Sequence, residues 1–137
     1  MRFVLDCSAT MPWILRNDKT GYSENILRRL SQDTAIVPWL WYLEVGNVLL
    51  SAERKKRLKP AESERFLNWL TDLPIQMDEE TPVFYFNRVL GLAREGSLSF
   101  YYGVYLELAL RRGVTLATLD GALGRAAADL GVDVLGS

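Results

Sequence analysis

The chain has 137 residues, of which 49% are hydrophobic and 24% are charged, and its formal net charge is −1. This size and balance predict a single globular domain over 1–137 and exclude a generally basic nucleic-acid-binding protein. The sequence contains no histidine and only one cysteine, Cys7. A Ser-His-Asp triad, a His-containing zinc site and an internal disulfide are therefore excluded.

Strands and helices are predicted to alternate along the chain. Short apolar stretches typical of buried strands lie at 2–6, 34–38 and 114–118, with weaker candidates at PIQM (74–77) and VDVL (132–135). Proline and glycine signals punctuate the helical patterns between them. The predicted helices run from about Ala9, with Ser8 as a cap, over 21–32, 39–58, 61–73 after Pro60, 81–96 with Thr81 as cap and Gly96 past the end, about Tyr101–Arg112, and 122–131.

This alternation predicts an α/β fold in which a mainly parallel central sheet lies between two helical layers. In such open sheets, functional sites form beyond the carboxyl ends of the strands. No apolar run reaches the roughly 18 residues that span a membrane. No leader-like pattern opens the chain, because strand 2–6 begins almost at once. We therefore expect a cytoplasmic protein with no membrane partner.

Three carboxylates fall in informative places. Asp6 ends the first strand and Asp120 follows the strand at 114–118, although each could simply cap a helix. Glu44 lies in the apolar segment WLWYLEVGNVLL, one helical turn from Asn47, with no lysine or arginine three or four residues away. A carboxylate in such surroundings must be protonated, paired with a distant arginine or bound to a metal.

Two strand-end aspartates and one inward-facing glutamate can converge on one acidic cleft. Like charges at short range repel, so the cluster is most stable when a cation occupies it. Oxygen ligands favour hard ions such as Mg²⁺ or Mn²⁺. The pattern indicates hydrolysis of a phosphodiester without histidine.

Three segments carry a family resemblance: FVLDCS, LEVGNVLL and LSFYYGVYLELALRRGVTLATLD. In this order and spacing, across essentially the whole chain, the sequence resembles PIN-domain proteins, and among them the VapC-type toxins of bacterial toxin–antitoxin pairs. The resemblance implies a PIN-like three-layer α/β/α sandwich and a Mg²⁺- or Mn²⁺-dependent endoribonuclease. It also implies a homodimer and an antitoxin that inhibits by occupying the site, with DNA reached only through that antitoxin.

By position, the resemblance makes Asp6, Glu44 and Asp120 the catalytic acids that hold the metal. It also implies that three polar side chains orient carboxylates or water around them. These side chains are Ser8, Asn47 and Thr118. A local alternative remains open for each: Ser8 could cap a helix, Asn47 could be an ordinary polar helix residue, and Thr118 could be an ordinary strand residue.

The sequence departs from the family at one acid. A Tyr-Asp-Ala-like segment is usual at this helix start, whereas this chain has Tyr101, Tyr102 and Gly103, so Tyr102 stands at the position of the third acid. Glu107 is a poor substitute, because five residues turn a helix by about 140° beyond one full turn. Three carboxylates bring a charge of about −3, which suits one well-held divalent ion rather than two. We expect the missing acid to weaken metal binding and activity.

The departure favours an alternative, a catalytically impaired PIN domain that acts as an antitoxin-binding or regulatory partner. A receiver-like signalling domain is disfavoured, because the strands lack the required aspartate and lysine pair. One run of positive charge, termed here the basic cluster, could contact RNA phosphates or be a solvated helix end; it comprises Arg54, Lys55, Lys56 and Arg57.

Overall fold

The computed structural model describes residues 1–136 and consists of four short strands and seven helices. No helix in this range is long and apolar enough to cross a lipid bilayer. The strands are β1 (Arg2–Leu5), β2 (Thr34–Val37), β3 (Ile75–Met77) and β4 (Thr115–Ala117). The helices are α1 (Cys7–Thr10), α2 (Thr20–Arg29), α3 (Trp39–Arg54), α4 (Pro60–Thr71), α5 (Phe86–Gly96), α6 (Phe100–Arg112) and α7 (Gly121–Asp129), with 3₁₀ turns at Met11–Trp13 and Pro82–Phe84.

The four strands form one parallel sheet in the order β3-β2-β1-β4. Val4 in the central strand β1 pairs with Ile36 on one side and Leu116 on the other, and all three side chains are buried. Helix α1 contacts α2 and α3, and α6 contacts α5 and α7. With this strand order, the right-handed crossovers usual for parallel strands put α1 to α4 on one face and α5 to α7 on the other. The predicted α/β/α sandwich with a parallel central sheet is confirmed.

Several boundaries differ from those predicted, each for a local reason. The helix expected from Ala9 begins at Cys7 and lasts one turn, because Pro12 lacks an amide hydrogen and the chain continues as a 3₁₀ turn. The segment VDVL is not a strand, since only Val134 makes a bridge, with Leu116. Gly96 is the last residue of α5, and Ser97 takes the left-handed conformation after it. Thr81 precedes a 3₁₀ turn rather than α5, which begins at Phe86.

Gly103 explains the unusual start of α6. A Cβ atom at this position would lie 3.1 Å from the carbonyl oxygen of Val89 and 3.4 Å from the Cβ of Ala93 in α5. The absent side chain therefore lets α5 and α6 approach closely. Ser99 caps the same end of α6 by accepting a hydrogen bond from the Tyr102 amide at 3.1 Å, which offsets the unfavourable helix propensity of glycine.

Replacing Gly103 with leucine is expected to lower the free energy of unfolding by about 1–3 kcal/mol, because the new side chain must displace the backbone of α5. Urea denaturation measures this change. Gly91→Leu is the matched control, since Gly91 lies in α5 with no atom within 4 Å of an added Cβ. Equal stability of the two variants would contradict the close approach of α5 and α6.

Candidate active site

Asp6 is the centre of the polar network at the carboxyl edge of the sheet. It directly follows β1 and is 2% exposed. Its Oδ2 accepts hydrogen bonds from the Ser8 hydroxyl and from the Thr118 hydroxyl, each at 2.7 Å. The carboxylate makes no capping bond to α1. Two hydroxyls from distant parts of the chain therefore hold one carboxylate.

The same two hydroxyls also position the loop that carries Asp120. Ser8 Oγ accepts a hydrogen bond from the Leu119 amide at 2.9 Å, and Thr118 Oγ1 accepts one from the Asp120 amide at 3.0 Å. Each hydroxyl thus donates to Asp6 and accepts from the β4–α7 loop. Of the two alternatives left open for Ser8, the helix cap is wrong, because Ser8 lies inside α1, which begins at Cys7.

Burial raises the pKa of Asp6, and the hydrogen bonds from Ser8 and Thr118 oppose the shift without reversing it. None of the salt bridges within residues 1–136 includes Asp6, Glu44 or Asp120, and Arg125 acts on Asp120 alone of the three. Asp6 and Glu44 are therefore acids without a paired cation, and they are costly to keep ionised unless a cation binds.

Glu44 lies half-buried in α3 and is held by a tyrosine rather than an arginine. The Tyr105 hydroxyl in α6 donates to Glu44 Oε1 at 2.5 Å. Burial raises the pKa of Glu44, the bond from Tyr105 lowers it, and the negative charge of Asp6 raises it further. The helix α3 is itself anchored beside β1, because the Trp41 indole donates to Thr10 Oγ1 at 3.0 Å and Thr10 donates to the Asp6 carbonyl.

Asp120 combines two roles. Its Oδ1 caps α7 by accepting from the Leu123 amide at 2.9 Å, and its Oδ2 accepts from the Tyr102 hydroxyl at 2.5 Å. Burial raises the pKa of Asp120, but the bonds from Tyr102 and the backbone, together with the positive charge of Arg125, outweigh it and lower the pKa overall. Asp120 is therefore the most readily ionised of the three acids.

Tyr102 lies within electrostatic reach of all three carboxylates. Its pKa is raised first by the hydrogen bond to Asp120, then by burial, and then by the negative charges of Asp120, Asp6 and Glu44. The phenol is therefore protonated near neutral pH and acts as a hydrogen-bond donor. Tyr102 and Tyr105 are one helical turn apart on α6, and each holds one acid.

The donor chemistry suits a hard cation, but the three acids are not assembled around one point. Within residues 1–136 no group of three or more His, Cys, Asp or Glu side chains is close enough to hold a metal ion. Asp120 and Glu44 are held by separate tyrosine donors, Tyr102 and Tyr105, and carboxylates without a cation between them repel one another. The negative charge of Asp6 raises the pKa of Glu44, and both acids have the oxygen ligands that Mg²⁺ and Mn²⁺ prefer.

The remaining predicted residues lie away from this network. Asn47 is exposed on α3, and no side-chain hydrogen bond from it is present among the described residues, so its orienting role stays a prediction. The basic cluster is exposed at the end of α3, and Arg54 is roughly 15 Å along the helix from Glu44. Glu107 is 2% exposed and forms ion pairs with Arg88 and Arg111.

Sequence reasoning missed two residues of the site. From the sequence, Tyr105 is interpreted as an apolar helix residue. Only its spacing of three residues from Tyr102 indicates that the two tyrosines lie on the same face of α6. Arg125 reads as a solvent-exposed residue of α7. In the structure its Nη1 lies 3.1 Å from the position of a Cβ on Gly121, directly beside Asp120.

The similarity of this chain to known proteins is found in its three-dimensional structure. No protein-family model matches the sequence, and no curated protein matches it either. Several solved structures are similar. PAE2754 from Pyrobaculum aerophilum superposes with a TM-score of 0.69 at 23% identity, covering 92% of this chain and 87% of that chain.

A toxin–antitoxin complex from Klebsiella pneumoniae also gives a TM-score of 0.69, at 13% identity over 98% of this chain and 96% of that chain. VapBC2 from Rickettsia felis, bound to a DNA fragment from its promoter, gives 0.66 at 14% identity over 98% of both chains. At these identities the likeness concerns the fold. The chain shares the fold of these solved structures, which is consistent with the expected resemblance to PIN-domain, VapC-type proteins.

Replacing Asp6 with asparagine is expected to stabilise the metal-free protein. The folded-state pKa of Asp6 lies above its unfolded value, so stability falls as pH rises through the interval between them. The cost is therefore larger at pH 7 than at pH of about 4, and at pH 7 Asp6→Asn should raise the free energy of unfolding by about 0.5–2 kcal/mol. The gain should vanish below pH of about 4, where Asp6 is protonated in both states.

Urea denaturation with a chelator at both pH values measures this difference. Asp18→Asn is the matched control, because Asp18 is exposed and outside the network. An Asp6→Asn variant that is less stable than the parent at pH 7 would show that the hydroxyl bonds outweigh burial.

Proposed function

We propose that this chain is a Mg²⁺- or Mn²⁺-dependent endoribonuclease toxin of a toxin–antitoxin pair. The observation that carries the proposal is the buried carboxylate of Asp6, which Ser8 and Thr118 hold and whose charge acts on Glu44. Tyr102 lies within electrostatic reach of Asp6, Glu44 and Asp120. Asp6 lies at the edge of the parallel sheet where sites form. RNA as the substrate follows from the family resemblance.

Asp6 and Glu44 would hold the ion, with Asp120 completing the acidic cluster. When bound, the ion would supply charge neutralisation for a phosphodiester and a more acidic water. Tyr105 holds Glu44 through Oε1, which leaves the second carboxylate oxygen available to the ion. Arg125, beside Asp120 and exposed, would neutralise a phosphate oxygen.

The proposal includes partners as well as chemistry. The similar structure from K. pneumoniae is a toxin–antitoxin complex, which supports an antitoxin partner for this chain. The R. felis neighbour is bound to promoter DNA, which supports contact with DNA through the antitoxin. A homodimer and a cytoplasmic location complete the proposal on the basis of the resemblance.

A second candidate is favoured by Tyr102. Its hydroxyl occupies Asp120 Oδ2 with a hydrogen bond and brings no negative charge to the cluster. A chain with this substitution could bind an antitoxin while cleaving RNA poorly, and would then act as a regulatory partner.

The first test is cleavage of structured RNA by the purified protein with Mn²⁺. We expect cleavage that a chelator stops and that Asp6→Asn lowers at least about 100-fold, because the central metal-binding carboxylate is removed. Asp18→Asn, which neutralises an exposed carboxylate, should leave the rate unchanged. If the parent protein is as inert as Asp6→Asn at every Mn²⁺ concentration, the nuclease proposal fails and the regulatory candidate stands.

The second test restores the missing acid. Tyr102→Asp is expected to tighten Mn²⁺ binding about 10- to 100-fold, measured by calorimetric titration, because it adds a negative oxygen ligand and frees Asp120 Oδ2. Tyr101→Asp adds the same charge at an exposed neighbour and should change the affinity little. If Tyr102→Asp gains neither Mn²⁺ affinity nor cleavage rate, the missing acid does not limit this site.

A further inference from the structure

The outward face of α3 carries a solvent-exposed apolar stripe, here called the α3 stripe, of which Tyr42 alone also borders residues of α4. Trp39 is 62% exposed and Leu43 is 54% exposed, and the stripe continues over three turns. Its members recur at spacings of three and four residues, as in a helix that packs against a second helix; they are Trp39, Tyr42, Leu43, Gly46 and Leu50.

Gly46 is the least expected member of the α3 stripe. Glycine inside a helix costs about 1 kcal/mol relative to alanine. No atom lies within 4 Å of a Cβ built at this position, so packing within the described chain does not require a residue without a side chain here. A small residue at the centre of an exposed apolar seam permits close approach by an external backbone.

Charge indicates which kind of chain could cover the α3 stripe. The stripe ends at the basic cluster, and residues 53–57 contain four cations and one acid, Glu53, for a net charge of +3. None of these four cations takes part in a salt bridge among residues 1–136. An occupant with carboxylates at this end would be attracted.

A second copy of this chain fits the charge poorly. Parallel pairing of two α3 helices would bring the two basic clusters together. Antiparallel pairing would place each basic cluster beside Trp39 and Tyr42, which offer no negative charge. An antiparallel helix from another protein, with acids in its first turns, satisfies both the apolar seam and the positive end. Acids there are also favoured by that helix's own dipole.

We propose that the α3 stripe and the basic cluster together dock an amphipathic helix of a partner protein, whose N-terminal turns carry acidic residues. This inference deepens the toxin–antitoxin part of the proposed function and rests on it, since the antitoxin is the partner that function requires. Protein rather than RNA is favoured, because apolar side chains make up most of the surface and the acidic cluster is on a different side of α3.

The test uses two synthetic peptides with the same apolar helical seam. One carries glutamates in its first two turns and the other carries lysines there. Fluorescence anisotropy with the full chain should show at least about tenfold tighter binding of the glutamate peptide, with the difference shrinking as salt is raised from about 0.05 to 0.5 M. Equal affinities, or no binding of either peptide, would overturn the proposal.

Two variants locate the binding. Gly46→Gln adds a side chain where the chain itself has open space, and it raises helix propensity, so the variant should fold normally. It should weaken binding of the glutamate peptide at least about tenfold. Lys55→Glu combined with Arg57→Glu should reverse the preference between the peptides. The controls Gly91→Gln and Arg94→Glu, both exposed on α5, should change neither. Unchanged binding by Gly46→Gln would overturn the proposal.

The remaining outcomes separate other occupants. Sedimentation showing a dimer that Gly46→Gln dissociates would assign the α3 stripe to a second copy. If the charge-reversed double variant loses RNA affinity but keeps its peptide preference, the basic cluster is an RNA contact. Asp6→Asn should abolish cleavage and still bind the glutamate peptide, so loss of the nuclease proposal and loss of this one are distinguishable.

Discussion

The structure depends on the buried carboxylate of Asp6 and the two hydroxyls that donate to it. Ser8 and Thr118 are 110 residues apart in the chain, and each also accepts an amide of the β4–α7 loop. This small network joins the end of β1 to the segment that carries Asp120. Removing a donor would leave a nearly unexposed carboxylate short of partners, which is costly in a low-dielectric setting. The network therefore couples the stability of the sheet edge to the geometry of the acidic cluster.

The helix α6 organises the other two acids. Tyr102 and Tyr105, on one face of α6, donate to Asp120 and Glu44 respectively. The far end of α6 is held by ion pairs of Arg111 with Asp78 and Glu107. Gly103 lets α5 pack tightly behind the tyrosines. Packing against α5 and the Arg111 ion pairs thus both support the placement of the two phenols.

The inner and outer sides of α3 carry different features. Its inner side contributes Glu44 and the Trp41 bond to Thr10, which position an acid beside β1. Its outer side exposes the α3 stripe and ends in the basic cluster. A helical partner seated on the outer side would lie next to the turn that carries Glu44, without needing to enter the cluster.

The sequence alone determined the parallel α/β fold and the placement of Asp6 and Asp120 at strand ends, because apolar periodicity and strand–helix alternation are local properties. The sequence also showed that Tyr102 stands where the family that the chain resembles has its third acid. Tertiary structure decided what these residues touch. For Ser8 the sequence left open a helix cap or an orienting role, and the structure shows a bridge from Asp6 to Leu119. The partner of Glu44 proved to be Tyr105, 61 residues away. Such pairings depend on how helices pack across the sheet, and no spacing within one segment records that packing.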